Sequence, residues 1–212
     1  LGAKGDSHTV QIKKKGAASD ITVNLNWKTS ADLDLGCFYE LNNGRKTVID
    51  GLQFSKGRGG PKNVVSRQGC YTLPPYIWHM GDDTTGSQMS DGEFILINPE
   101  GYSHIKRMTI YAYIYEGVAN WSQTDAKIVV KVPGNPEIVV DMNKEAKSQG
   151  GFLSKIAGKD SSPNERYCAI AGLDFVGQDS IRVTKYVTFQ KGHRDLDQAY
   201  SWGLNWQAGA GK

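Results

Sequence analysis

A short acidic loop carries the residues of this sequence that are best suited to bind a ligand. Residues 81–98 read GDDTTGSQMSDGEFILIN, in which Asp82, Asp83, Asp91 and Glu93 stand among small hydroxylated or glycyl residues. Acids packed this closely repel each other, so a folded loop of this kind either extends into water or holds a cation. A hard cation such as Ca²⁺ takes about six to eight oxygen ligands from carboxylates, carbonyls, hydroxyls and water. Two interpretations follow, a calcium site and a solvated surface loop.

The spacing of these acids does not fit the twelve-residue calcium loop of helix-loop-helix proteins. Counted from Asp82, the twelfth residue is Glu93, but the sixth is Ser87, where the sharp turn of that loop requires glycine. The flanking residues show no amphipathic helix. A calcium site in this chain therefore needs a different scaffold.

More acids occur where predicted strands start or end. Asp32 and Asp34 open the segment DLDLGCFYEL, and residues two apart on a strand are about 6.6 Å apart along it, so both carboxylates can reach neighbouring cations. Glu116 closes an aliphatic row. Such positions can converge at one end of a sandwich, where a cation would join loops that are distant in sequence. The predicted metal ligands are Asp32, Asp34, Asp82, Asp83, Ser87, Asp91, Glu93 and Glu116.

The elements that would position these acids are strands. Ile21, Val23, Leu25 and Trp27 alternate with polar residues, a period of two that predicts a strand with one wet face. Other strands are predicted over residues 32–41, 46–52, 94–97, 105–116, 128–132, 137–142, 167–175 and 181–189. Residues 193–200 predict a short helix. This pattern indicates an all-β fold, an antiparallel two-layer β-sandwich with long loops and a short C-terminal helix.

The remaining segments are predicted to be a tail and loops. Residues 1–12 are predicted to form a flexible N-terminal tail, and residues 13–212 a single β-sandwich domain. A mobile loop is predicted over residues 53–71 and a long loop over residues 144–165. The basic residues of the first loop, Lys56, Arg58 and Lys62, would suit a phosphate or nucleic-acid contact, but a flexible insertion is the favoured interpretation, because no glycine-rich phosphate signature is present.

Composition excludes several classes of protein. A hydrophobic content of 39% supports a core and argues against disorder throughout. No apolar run reaches the roughly twenty residues that cross a bilayer, and residues 1–10 do not resemble a secretion signal, so a soluble protein is expected. The net charge is only +3, with basic residues spread along the chain, and no nucleic-acid partner is expected.

The three cysteines lie far apart, with no CxxC pair. Cys37, Cys70 and Cys168 therefore suggest neither a disulfide framework nor a zinc site. Cys37 and Cys168 stand inside apolar strand patterns, which favours buried thiols in a reducing compartment.

Seven segments in one consistent order resemble the TerD-type tellurium-resistance and stress-response family, most closely its TerA-like branch. The likeness runs from about Lys13 to the end of the chain. The segments are NLNW at residues 24–27, DLDLGCFYEL at 32–41, PPYI with GDDTTGS within 74–87, IYEGVANW at 114–121, PEIVV at 136–140, CAIA at 168–171 and KGHRDLDQAYSWGLNW at 191–206.

The resemblance implies a β-sandwich that binds calcium through carboxylates at one end. It further implies a cytoplasmic location or one at the inner face of the membrane, partners among other proteins of the same resistance system, and a role in resistance to tellurite, phage and other stresses. Asp32 and Asp34 match the family's acidic strand-start motif, and Asp82 matches the first acid of its GDN-like loop. Asp83 stands where the family often has an amide, and Gly36 where it has a further acid. One of the two metal positions that the family implies is therefore expected to be weak or absent.

The leading hypothesis is a non-enzymatic, calcium-dependent domain whose cation orders a loop surface for partner proteins. A hydrolase is a weaker hypothesis, because His79 and His193 have acids nearby but no nucleophile elbow or HExxH motif accompanies them. The alternative is calcium-assisted carbohydrate or membrane binding through exposed aromatic residues such as Trp121, Trp202 and Trp206. Retention on glycan arrays or anionic liposomes that depends on calcium would support that alternative, and its absence on both would remove it.

Overall fold

A computed structural model describes residues 3–11, 19–53, 60–86, 91–149, 164–177 and 180–207 of the chain. Strands are the main regular structure among these residues, and the two α-helices are short. The strands are β1 (Ser7–Gln11), β2 (Ile21–Asn26), β3 (Asp32–Leu41), β4 (Lys46–Asp50), β5 (Gly69–Cys70), β6 (Ile77–His79), β7 (Glu93–Ile97), β8 (Ile105–Glu116), β9 (Lys127–Lys131), β10 (Ile138–Asp141), β11 (Tyr167–Val176) and β12 (Ser180–Gln190). The α-helices of the described ranges are α1 (Met142–Ser148) and α2 (His193–Ala199), and short 3-10 helices cover Gly51–Gln53, Pro99–Gly101 and Trp121–Gln123.

The strands form two antiparallel six-stranded sheets. The first sheet has the order β1-β12-β11-β8-β3-β4, and the second has the order β10-β9-β2-β7-β6-β5. The predicted all-β sandwich with a short C-terminal helix is confirmed. Strands β3 and β8 have the bounds that alternation predicts, because each carries a continuous aliphatic row on one face.

The main core lies between the two sheets. It is built from the inward rows of the long strands, such as Leu33, Leu35 and Cys37 of β3. A second apolar cluster covers the opposite face of the first sheet, where Tyr111 and Tyr113 of β8 pack with Leu196 of α2 and with Trp202. Strand β8 is therefore buried on both faces. Its two rows, aliphatic and aromatic, are the two faces that the sequence predicts.

All three cysteines are free and fully buried. Burial raises the pKa of the Cys168 thiol, and burial followed by the negative charge of Asp50 raises that of Cys37. Both effects favour the neutral thiol. Cys37 and Cys168 therefore behave as small apolar residues of the strands that hold them.

Two predictions about the connecting segments are wrong. Residues 7–11 fall in the predicted tail, yet they form β1, which pairs with β12 over five residues and buries Val10. The loop predicted over residues 144–165 begins inside helix α1, since the Asp141 side chain accepts a hydrogen bond from the Lys144 amide at 3.1 Å and Met142 and Ala146 face the core. Residues 150–163 of that loop lie outside the described residues.

The loop predicted over residues 53–71 also contains an ordered part. It includes strand β5 and Lys62, whose ammonium lies 4.8 Å from the centre of the Tyr71 ring. Lys56 and Arg58 fall outside the described residues. Within the described ranges, no helix is long and apolar enough to cross a membrane.

Candidate metal centre

Three predicted ligands from both sheets meet at one end of the sandwich. Asp32 and Asp34 start β3 of the first sheet, and Asp82 follows β6 of the second. One carboxylate oxygen from each residue lies within 4.8 Å of the other two. Residues separated by about fifty positions in the sequence thus contribute to one group of oxygen atoms.

The carboxylates of this group are largely shielded from water, which strengthens the repulsion between their negative charges. Asp34 is fully buried and Asp82 is 8% exposed. Close carboxylates with little water around them favour a bound cation, because ionised oxygens of like charge repel each other most strongly where solvent screening is weakest. Carboxylate oxygens are the ligands that hard cations prefer. The donor set therefore fits Ca²⁺.

A fixed turn holds the start of β3 in place. The indole Nε1 of Trp27 donates to the Ala31 carbonyl at 2.8 Å, and the Asp125 carboxylate accepts from the amides of Lys28 and Thr29 at 2.9 and 3.0 Å. Burial acts to raise the pKa of Asp125, but hydrogen bonds from Thr29 and Lys28 outweigh it and lower that pKa. The sequence analysis did not identify Asp125, because an acid after a polar turn gives no sign of this capping role.

A buried carboxylate and a buried histidine hold the Asp82 loop against β3. Glu93 accepts hydrogen bonds from the amides of Leu35 at 2.6 Å and Asp83 at 3.1 Å. The Gly81 amide donates to Nδ1 of His79 at 3.1 Å, so the ring proton is on Nε2, which donates to the Leu35 carbonyl at 3.0 Å. Burial raises the pKa of Glu93, while the nearby His79 ring and the hydrogen bonds from the Leu35 and Asp83 amides act to lower it. Glu93 thus joins the two halves of the site through the backbone.

Close backbone packing fixes the far end of the same loop. Gly86 has a φ of 58°, and a Cβ atom there would lie 2.4 Å from the Trp27 carbonyl oxygen. At Gly92, with a φ of 82°, a Cβ atom would lie 2.1 Å from the Leu25 carbonyl oxygen. Only glycine fits both the positive φ and the contact at these two positions. The loop is therefore pressed against β2 on both sides of residues 87–90.

Asp83, Asp91 and Glu93 are not part of the three-carboxylate group. Asp83 is buried and uses Oδ1 to accept from the Thr85 amide and hydroxyl at 3.0 and 2.8 Å. Asp91 is exposed on the outer face of the second sheet, where its carbonyl accepts from Asn24 and Asn26. Ser87 falls outside the described residues. Metal ligation by Asp83, Ser87, Asp91 and Glu93 stays a prediction.

Glu116 lies at the mouth of the centre. It is the cross-strand partner of Asp32, and the two residues line the same cavity of about 290 Å³. The cavity is also lined by Ser30, Thr84 and Thr85, which carry hydroxyl groups. The opening of the centre to solvent is thus surrounded by side-chain oxygen atoms.

The position where the family has a further acid has no room for one. A Cβ atom at Gly36 would lie 2.5 Å from Cζ of Tyr111 and 2.8 Å from Cβ of Asp50. Tyr111 cannot easily move away, because its hydroxyl donates to Asp50, which also lies 2.6 Å from Nε2 of His193. This arrangement gives a physical reason for expecting one metal position to be missing.

Gly36→Ala is expected to lower the free energy of unfolding by about 1 to 3 kcal/mol, since the added methyl group overpacks a fixed site. Urea denaturation measures the change. Gly60→Ala is the matched control, because a Cβ atom there meets, among the described residues, only Oε1 of Gln68 at 3.6 Å. Equal stability of the two variants would show that Tyr111 and Asp50 can shift to admit a side chain.

The histidines and tryptophans considered for other functions are buried or half-buried and make packing contacts or hydrogen bonds. His79 is fully buried, and the His193 ring packs against Tyr167 and Trp206 with centroid distances of 4.7 and 5.1 Å. Trp121 and Trp202 are buried in the two apolar clusters, so the prediction of exposed aromatic residues is wrong for both. Trp206 is half-buried, and its indole donates to Asp197 at 2.7 Å. Trp121 and Trp202 are therefore not available on the surface for the proposed glycan or membrane binding, and Trp206 is only partly available.

Comparison with known proteins gives one close sequence relative and matching folds. The chain is 31% identical over 218 residues to the tellurium resistance protein TerA from an Alcaligenes species, an alignment that covers 95% of this chain and 55% of TerA. The chain thus spans about half the length of that curated relative. No protein-family model matches this chain.

Two crystal structures share the fold. A homologue of the telluride resistance protein TerD from Streptomyces coelicolor A3(2) has a TM-score of 0.55 at 14% identity, covering 85% of this chain and 95% of that one. A protein of unknown function, SAV2460, has a TM-score of 0.53 at 9% identity, covering 82% of this chain and 91% of that one. At these identities the likeness establishes the sandwich architecture alone.

Proposed function

On the strength of the alignment with TerA, we propose that this chain belongs to the TerD-type tellurium-resistance family and is a calcium-binding, non-enzymatic interaction domain of a bacterial tellurite and stress-resistance system. The alignment with TerA confirms the resemblance predicted from the sequence. The observation that carries the proposal is the meeting of Asp32, Asp34 and Asp82 within 4.8 Å.

The donor set favours Ca²⁺ over Mg²⁺. Magnesium demands nearly ideal octahedral geometry and keeps several waters, whereas calcium accepts six to eight oxygen ligands in flexible arrangements. Asp32, Asp34 and Asp82 would hold the ion from the protein side, and the hydroxyl-lined cavity beside them leaves room for water or carbonyl ligands. When bound, the ion supplies positive charge that cancels most of the repulsion among the three carboxylates.

The ion would act on the protein by joining its two sheets. Asp82 belongs to the loop between β6 and β7, while Asp32 and Asp34 belong to β3. A divalent cation between them would fix this loop relative to the first sheet and so order the rim that Thr84, Thr85 and Glu116 form. An ordered rim is a surface that a partner can recognise without first losing loop entropy.

The proposed partners are other proteins of the same resistance system, met in the cytoplasm or at the inner face of the membrane. A non-enzymatic role is proposed because His79 and His193 already serve in packing and hydrogen bonding. Capture of purified proteins of that system should depend on calcium. Equal capture with calcium and with chelator would show that the ion has no role in partner binding.

Asp82→Ala is expected to weaken calcium binding at least tenfold, which corresponds to about 1.4 kcal/mol, because it removes one of three converging carboxylates. Isothermal titration of the chelator-treated protein measures the affinity. Asp91→Ala is the matched control, since Asp91 is an exposed acid of the same loop that lies outside the group. The ligand assignment would be refuted if Asp82→Ala kept the parent affinity, and a loss in Asp91→Ala instead would move the site to the outer face of the second sheet.

A further inference from the structure

A tyrosine hydroxyl is buried beside the acidic group. Tyr113 lies three residues before the end of β8 and is 1% exposed. Its hydroxyl oxygen is buried and has no hydrogen-bond partner within the described part of the chain. A buried hydroxyl without a partner costs free energy, and most tyrosines avoid that cost by reaching a polar atom or solvent.

Tyr113 stands next to one of the three carboxylates in the first sheet. Tyr113 is the cross-strand partner of Asp34, so both side chains leave the same face of the first sheet. On the other side its ring stacks on Tyr167 with a centroid distance of 4.8 Å, and His193 meets it edge-on at 5.6 Å. The ring is therefore held between the acidic group and the aromatic cluster, away from solvent.

The local charges keep the phenol neutral. Burial raises the pKa of Tyr113 far above its ordinary value, and the negative charges of Asp50 and then Asp34 raise it further. A neutral phenol offers an oxygen lone pair as well as a proton donor. It can thus contact an ion or its bound water without adding to the negative charge that three carboxylates already supply.

Ring packing alone does not explain the hydroxyl. Stacking on Tyr167 and the contact with His193 would be equally available to phenylalanine, which has no buried polar atom. The buried hydroxyl therefore requires a separate explanation. Its neighbour Asp34 belongs to the acidic group, which suggests the cation site as that explanation. We propose that Tyr113 is a further oxygen contact of the cation site, reaching the bound ion or its water from the buried side. The inference rests on the proposed function.

Tyr113→Phe tests this directly, because it removes one oxygen atom and keeps the ring. Calcium affinity measured by isothermal titration should fall about tenfold, the typical effect of losing a hydrogen bond or contact to a charged group. In chelator the same variant should melt at the parent temperature or above it, since a buried hydroxyl without a partner has been removed. A purely structural tyrosine would not give these opposite effects.

Tyr102→Phe is the matched control. Its hydroxyl donates to the Ser19 carbonyl at 2.8 Å and takes no part in the acidic group, so this variant should melt lower in chelator and bind calcium as the parent does. Parent affinity in Tyr113→Phe, with calcium binding intact in the parent, would overturn this inference alone. Absence of calcium binding by the parent protein would overturn both the inference and the proposed function.

Discussion

Glu93→Ala is expected to lower the free energy of unfolding by about 2 to 6 kcal/mol, because each buried donor left without an acceptor costs about 1 to 3 kcal/mol and Glu93 accepts from two. The Glu93 carboxylate is fully buried and accepts from the amides of Leu35 and Asp83, with Nε2 of His79 at 3.5 Å. Its loss leaves two backbone donors buried without an acceptor. Urea denaturation in chelator measures the change apart from any calcium effect.

Two controls separate this role from a general effect of removing an acid. Glu137→Ala removes an exposed carboxylate that pairs with Lys131 at 2.9 Å, and it should cost no more than about 1 kcal/mol. Glu93→Gln keeps one acceptor oxygen and should lie between the two alanine variants. A Glu93→Ala variant as stable as Glu137→Ala would mean that the network does not hold the loop.

Calcium is expected to stabilise the folded protein by about 2.7 kcal/mol at a free concentration one hundred times its Kd, because it binds the folded state and not the unfolded chain. Chelation should therefore lower the melting temperature of the parent. Differential scanning calorimetry with excess calcium and with chelator gives the two temperatures. The three carboxylates meet only when both sheets are folded, which is why the unfolded chain offers no equivalent site.

Asp82→Ala provides the control for this measurement. At one hundred times the parent Kd, calcium should stabilise this variant by no more than about 1.4 kcal/mol, roughly half the effect on the parent, because a tenfold weaker affinity makes that concentration only ten times its own Kd. Identical melting of the parent under the two conditions would make the ion incidental to the fold. A full shift in Asp82→Ala would place the ion elsewhere on the protein.

The fold was largely predictable from alternation. Strands β3 and β8 carry aliphatic rows at every second residue, and such rows predict both the strand and the face that it buries. Strand β1 was missed because only Val10 of its five residues is buried, so its pattern resembles a polar tail. Helix α1 was missed because its apolar pair, Met142 and Ala146, is too short a repeat to stand out.

The site was predictable in composition but not in its pairing. The positions of acids at strand ends suggested that all of them could converge, whereas the structure groups only Asp82 with Asp32 and Asp34 among the described residues. One signal was available for Glu93, which shares the inward face of β7 with Ile95 and Ile97 and therefore points into the core. For Asp91 no sequence pattern distinguishes the outer face of a sheet from its end, because that depends on how the loop crosses the second sheet.

The central claim is that a divalent cation holds acids from both sheets at one end of the sandwich. An anomalous difference map from crystals grown with calcium tests it most directly. The account predicts a peak at calcium–oxygen distances of about 2.3 to 2.6 Å from the carboxylates of Asp32, Asp34 and Asp82. A map with these side chains well ordered and no peak among them, at a calcium concentration that saturates binding in solution, would contradict it.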